Sequence, residues 1–175
     1  MMGYQNISPR YRKHLQWILG GLTLVLLFFL HRIDGFLLSE EVPHGIVDFE
    51  LAGNIHKARL MMDSWDEQAR VAVGLSLGID YLFMFAYAFF LSLLSFEMAQ
   101  KHKFKTGYWI SMAILLAGLF DAMENIALIK LLTGCQYAVL PEIAKVFALL
   151  KFSIVAITVI YILLSWLLLL RVKKT

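Results

Sequence analysis

Charge is what this chain has least of. Of its 175 residues, 17% are Asp, Glu, Lys or Arg and 60% are apolar, whereas soluble domains hold about 25% charged and 45–50% apolar residues. With a mean hydropathy of +0.71, that shortage excludes a disordered chain, a coiled coil and a secreted disulfide scaffold. Cysteine occurs once, as Cys135, which excludes an internal disulfide and any CxxC metal site; it reads as an inert small residue. The net charge of +3 is too small and too dispersed for nucleic acid. HxxxH, Glu-x-x-His on an apolar stretch and a nucleophile with a visible base are all missing. His14, His31, His44, His56 and His102 read as flank, interface or loop residues.

Present instead are four long apolar stretches, at about 15–33, 70–96, 108–132 and 143–170. Each approaches the roughly 20 residues that cross a bilayer core of about 30 Å. The first follows a basic flank, as a signal peptide does, but HRIDGF follows it in place of a small-residue cleavage site, so it reads as a retained anchor. The fold class expected is therefore all-α: one domain over 1–175, a bundle of four transmembrane helices.

Local punctuation agrees. Gly35 and Gly134 suit left-handed C-terminal turns of the first and third helices. Ser64-Trp-Asp-Glu67 reads as a capping box that starts the second helix near Trp65. Thr106 suits the cap of the third, and Pro141 the first turn of the fourth.

Orientation follows from Lys and Arg. Arg10, Arg12 and Lys13 flank the first stretch, Lys101, Lys103 and Lys105 fill the 98–106 loop, and Arg171, Lys173 and Lys174 follow the last. The 34–69 loop has Lys57 and Arg59 among eight acids, and the 133–142 loop has no basic residue. Both termini are expected in the cytoplasm, in a bacterial inner membrane. Trp17, Trp109 and Trp166 then mark the inner interface, and Trp65 the outer one.

Ionisable residues interrupt the stretches. An ion within hydrocarbon costs at least ~2.5–3.5 kcal/mol on insertion scales. Measured from the cytoplasmic ends, Asp80 and Glu124 lie about 4–5 Å inside the outer hydrocarbon edge and Asp121 about 9 Å, while Lys151 sits at the edge, where it is free to snorkel. Asp121, Glu124 and Asn125 share one helical face above Gly118. Asp80, Met84, Tyr87 and Leu91 share another, with Tyr81 adjacent. Antiparallel chains bring the two faces to one depth, with Lys151 as a partial counter-ion. Gly74 and Gly78 form a GxxxG at that depth, which allows another helix to approach. Below Asp80 and Asp121 the polar residues are Ser, Thr, Tyr and Gln, with no ionisable relay, which argues against coupled transport by a monomer.

Residues 47–62 carry an apolar stripe of Val47, Leu51, Ile55, Ala58 and Met62 and read as one amphipathic helix on the outer interface, weakened by Gly53. It brings Glu50, Asn54 and His56 over the acids. The expected ligand-binding set is thus Glu50, Asn54, Asp80, Tyr81, Asp121, Glu124, Asn125 and Lys151. Crowded carboxylates imply that at least one holds a proton or that the cluster binds a cation; a divalent cation held by hard oxygens is one reading. Three functions compete: binding of a lipid, small amphiphile or cation; a membrane enzyme with Asp121 and Glu124 as acid and base on a lipid-like substrate; and an accessory subunit that pairs with a homo- or hetero-oligomeric partner. Interhelical pairs also serve as polar glue alone. In size, span count, cytoplasmic termini and inward acids, the chain resembles the sterol-isomerase and sigma-2-receptor group of small membrane proteins. That likeness is architectural and transfers no residue or activity.

Overall fold

The computed structural model describes residues 7–103, 105–135 and 137–172. They form six helices: α1 (Pro9–Asp34), α2 (Ile46–Glu50), α3 (Ile55–Ser64), α4 (Glu67–His102), α5 (Lys105–Leu132) and α6 (Leu140–Val172). Four of them (α1, α4, α5 and α6) are long and apolar enough to cross a membrane. Lys173 and Lys174 lie outside the described residues.

Each helix starts and stops for a local reason. Ser8 caps α1 and Pro9 supplies its first position, where a missing N–H costs nothing. Asp66, not Ser64, caps α4 by accepting from the Ala69 amide at 2.8 Å. Ser64 instead ends α3, with Trp65 as the connector. Lys103 in the left-handed conformation (φ 57°) closes α4. Helix α5 begins at Lys105, so Thr106 lies in its first turn and not at the cap. Gly134, at φ 90°, ends α5 with paired bonds from its own amide to the Leu131 carbonyl and from the Cys135 amide to the Lys130 carbonyl, the Schellman arrangement. Gly35 is right-handed (φ −58°), so the expected left-handed turn is absent there. Pro141 falls in the first turn of α6 as expected.

Helices α4, α5 and α6 pack on one another, and α1 packs against α4. Helices α4 and α5 approach closely at Gly118, where a methyl group would stand 3.2 Å from the Ala88 Cβ, and more closely at Gly107, where it would stand 2.7 Å from the Ala99 Cβ. Near the opposite end Ser92 and Ser111 exchange hydroxyl–carbonyl bonds of 2.6 and 3.0 Å. The helix exteriors stay apolar: on α6, Ile157, Ile160, Leu163 and Leu164 are each more than half exposed.

The 47–62 segment is two short helices, not one. Gly53 takes φ 70°, which breaks the helix between Glu50 and Ile55. The expected stripe packs inward in part, through Ala58, Ile55 and Met62. Phe49, Ala52 and Ala58 are buried, while Val47 is 38% exposed. Trp65 is 4% exposed; its ring meets Phe49 edge-on at 5.1 Å and its indole N–H donates to the Leu37 carbonyl at 3.0 Å. It is a core residue of this roof and not an interfacial ring. The roof covers the ends of α4, α5 and α6 in one cluster that includes Leu77, Leu128 and Ala144.

Candidate functional site

Under the roof sits a polar cluster built around one ammonium. Lys151 on α6 is 5% exposed and turns inward. Its Nζ lies 2.8 Å from Asp121 Oδ1, 3.0 and 2.9 Å from the two oxygens of Glu124, and 3.5 Å from Glu50 Oε1. Helices α2, α5 and α6 thus meet at a single cation. Tyr87 on α4 donates its hydroxyl to Asp121 Oδ2 at 2.9 Å, which fixes the second oxygen of that carboxylate. Asn125 donates from Nδ2 to Asp80 Oδ2 at 2.7 Å and ties α5 to α4.

The charges do not balance within this cluster. Four carboxyls (Glu50, Asp80, Asp121 and Glu124) stand around one lysine, and among the described residues no other cation contacts them. Burial pushes the Glu50 carboxyl above its ordinary value, with the Lys151 charge opposing the shift and the Asp121 charge adding to it. Glu50 Oε2 and Asn125 Oδ1 are buried and lack a hydrogen-bond partner, which in a buried group costs about 1–3 kcal/mol.

Beside the cluster lies a cavity of about 540 Å³, within the usual range for small-molecule sites of about 300–1,000 Å³. Its upper part is lined by Glu50, Asp80, Asp121 and Lys151, with His31 and Asp34 at the end of α1. Its lower part is lined by Leu27 of α1, Phe83 and Leu91 of α4, and Phe152, Val155 and Val159 of α6. Thr23 also lies low, but its hydroxyl donates back to the Leu19 carbonyl at 2.7 Å, so it adds no free polar group. Leu27 and Phe152, at the mouth between α1 and α6, are 49% and 39% exposed. The cavity therefore runs from a charged top to an apolar base and opens sideways between α1 and α6.

The roof reaches across that opening. Asp34, the last residue of α1, accepts from the Ile46 amide at the start of α2 (2.6 Å), and Glu50 at the end of α2 meets Lys151 of α6. Gly45 takes φ 64°, and any Cβ there would collide with the Asp34 carboxylate. A glycine is required for α2 to sit so close to α1.

Of the expected set, the structure brings Glu50, Asp80, Asp121 and Lys151 to the cavity wall. Glu124 and Asn125, both 0% exposed, stand behind it and hold the first group in place. Tyr81 is half-buried and does not line the cavity. Asn54 is remote in role: its side chain caps α3 by accepting from the Lys57 amide at 2.9 Å. His56 is exposed. Among the described residues no group of three or more His, Cys, Asp or Glu is arranged to hold a metal ion; the space between the carboxylates is filled by the lysine ammonium. Lys151 is an integral member of the cluster and does not snorkel. Tyr87 lines the cavity and belongs to the site; residue spacing places it only on the helical face of Asp80. The Gly74–Gly78 pair meets no other helix, since a methyl group at either position would touch nothing within 4 Å.

Comparison with protein-family models, with curated proteins and with solved structures finds no match to this chain. The site must speak through its own chemistry.

Proposed function

We propose that this chain is a four-span integral membrane protein that binds a small amphiphile in the cavity between α1, α4 and α6. The observation that carries the reading is the cavity's polarity gradient: carboxylates and an ammonium at one end, aliphatic and aromatic side chains at the other, and a sideways mouth between two helices. In a bilayer that mouth faces the acyl chains, so an amphiphile slides in laterally, with its polar group rising to the cluster. Both termini face the cytoplasm, and the roof lies at the outer interface of a membrane such as the bacterial inner membrane. The uncompensated acids favour a polar group that donates hydrogen bonds or carries positive charge over an anionic one. The enzyme reading, with Asp121 and Glu124 as acid and base, gains no support from a lysine lying on both carboxylates.

Native mass spectrometry of the protein released from lipid nanodiscs tests this. The expected result is a retained small molecule that disappears in Leu27→Trp and Val155→Trp, which fill the mouth and the base, while both variants stay folded. Equal retention in both variants overturns the reading. Orientation is tested separately, in a background where Cys135 is replaced. Cysteine at position 137 should label from outside and cysteine at 103 only after permeabilisation.

A further inference from the structure

The cavity also has a floor. Directly below Thr23 on α1 and beside Leu91 on α4, the Phe90 ring fills the notch left by Gly20: a methyl group at Gly20 would stand 2.9 Å from the ring edge. A Cβ at Gly20 would press on that ring, so α1 and α4 stand close together one turn below Thr23, at the level where the lining of the cavity ends. The distance from the polar cluster to this floor follows from helix rise. Asp80 to Leu91 spans about 16 Å, and Lys151 to Val159 about 12 Å, at about 1.5 Å per residue.

Resting on the binding reading above, we propose that this cavity is a molecular ruler for a single unbranched chain of about ten to thirteen carbons. An extended chain advances about 1.25 Å per carbon, from the projection of a C–C bond of about 1.52 Å, so 12–16 Å holds about that many. The volume is compatible: about 540 Å³ falls within the range of single small-molecule sites, about 300–1,000 Å³. The wall chemistry fits a chain as well: Leu27, Phe83, Leu91, Phe152, Val155 and Val159 offer no polar atom along its path, and the hydroxyls of Thr23 and Tyr87 are already bonded, to the Leu19 carbonyl and to Asp121.

The test uses the full chain in nanodiscs with the straight-chain 1-alkanols from eight to sixteen carbons, each at the same mole fraction in the membrane so that partitioning cancels. The hydroxyl serves as a minimal donor to the carboxylates. The unfolding temperature should rise most for ten to thirteen carbons and fall off for longer chains. Phe90→Ala, which removes the floor, should move the optimum two to four carbons longer. Val159→Trp, which raises it, should move the optimum shorter by a similar amount, and either variant that folds decides the matter. A response that climbs steadily to sixteen carbons, or an optimum unmoved by a folded variant, overturns the ruler. A flat series overturns it too. If the retained molecule of the nanodisc experiment is still lost in Leu27→Trp, that failure belongs to the ruler alone; if it is not, the binding reading fails with it.

Discussion

The two ends of this bundle solve the same problem, joining apolar helices, with opposite chemistry. At the end away from the roof, α4 and α5 meet through small groups: Ser92 and Ser111 exchange short bonds with each other's carbonyls. There Gln16 and Glu97 pair at 2.8 Å and Arg12 lies over the Phe96 ring, close to the helix ends where water is near. At the roofed end the helices are held by ionisable side chains, with Asp121 and Lys151 well inside α5 and α6. Interhelical hydrogen bonds within membranes average only about 0.6 kcal/mol, so the serine pair does a joining task cheaply. The charged cluster brings a large desolvation cost, offset only while every partner is in place. The cavity lies at the charged end.

That contrast can be broken most sharply at Lys151. Lys151→Met leaves Asp121, Glu124 and Glu50 facing one another without a cation, and removal of one partner from a buried ionic group costs about 3–5 kcal/mol. Loss of most folded protein is expected by size-exclusion chromatography in detergent. The triple variant Lys151→Met, Asp121→Asn, Glu124→Gln should recover much of it. Recovery without binding of the retained molecule would separate a binding role for these charges from a merely structural one.

Next in size is Tyr87→Phe, which leaves Asp121 Oδ2 without its donor at nearly unchanged volume. A destabilisation of about 1–3 kcal/mol is expected, read as a lowered unfolding temperature. No comparable loss should follow Tyr81→Phe, whose side chain stands off the cavity.

A pH series sharpens the comparison further. Glu50 binds its proton more tightly in the folded state than in the unfolded state, because burial raises its carboxyl. The folded state therefore holds more protons between the two values. The stability from this group is full below the unfolded carboxylate value of about 4.3 and declines as pH rises toward the elevated folded value. Glu50→Gln should flatten that decline in an unfolding-temperature profile. Asp121, Glu124 and Lys151 face Glu50 and remain in the variant, so the difference between the two profiles reports Glu50 together with its interactions with them.

Smaller still is Ser92→Ala, expected to cost about 0.6 kcal/mol. Gly78→Ala sets the lower bound. Its methyl group meets nothing, and alanine's helix preference raises stability by up to about 1 kcal/mol.

Much of this was legible from residue order alone. Long apolar stretches betray helices because length and hydropathy are local properties, and the i, i+3, i+4 spacing of Asp121, Glu124 and Asn125 fixes a shared face without any structure. Antiparallel counting placed Asp80 at their depth. The failures lie where geometry is non-local. Whether Lys151 points up to the interface or inward depends on what α2 and α5 present to it, and no property of α6 encodes that. Asn54 falls in the expected site only if 47–62 is one helix; the left-handed turn at Gly53 ends that helix, and Asn54 caps the next one instead. Trp65 reads as interfacial by type, yet the Leu37 carbonyl and the Phe49 ring that bury it lie 28 and 16 residues away in sequence. Tyr87 shares the helical face of Asp80, and only its contact with another helix distinguishes it from a packing residue.

The convergence of three helices on one ammonium also sets an order of assembly. In chain order, Asp121 and Glu124 on α5 are made before the lysine that pairs with them. Lys151 arrives on the last helix. Until then the two acids lack the ammonium around which they are arranged. A single late lysine thereby makes completion of the cluster wait on the final segment: α2, α5 and α6 can join at that point only once α6 has been delivered.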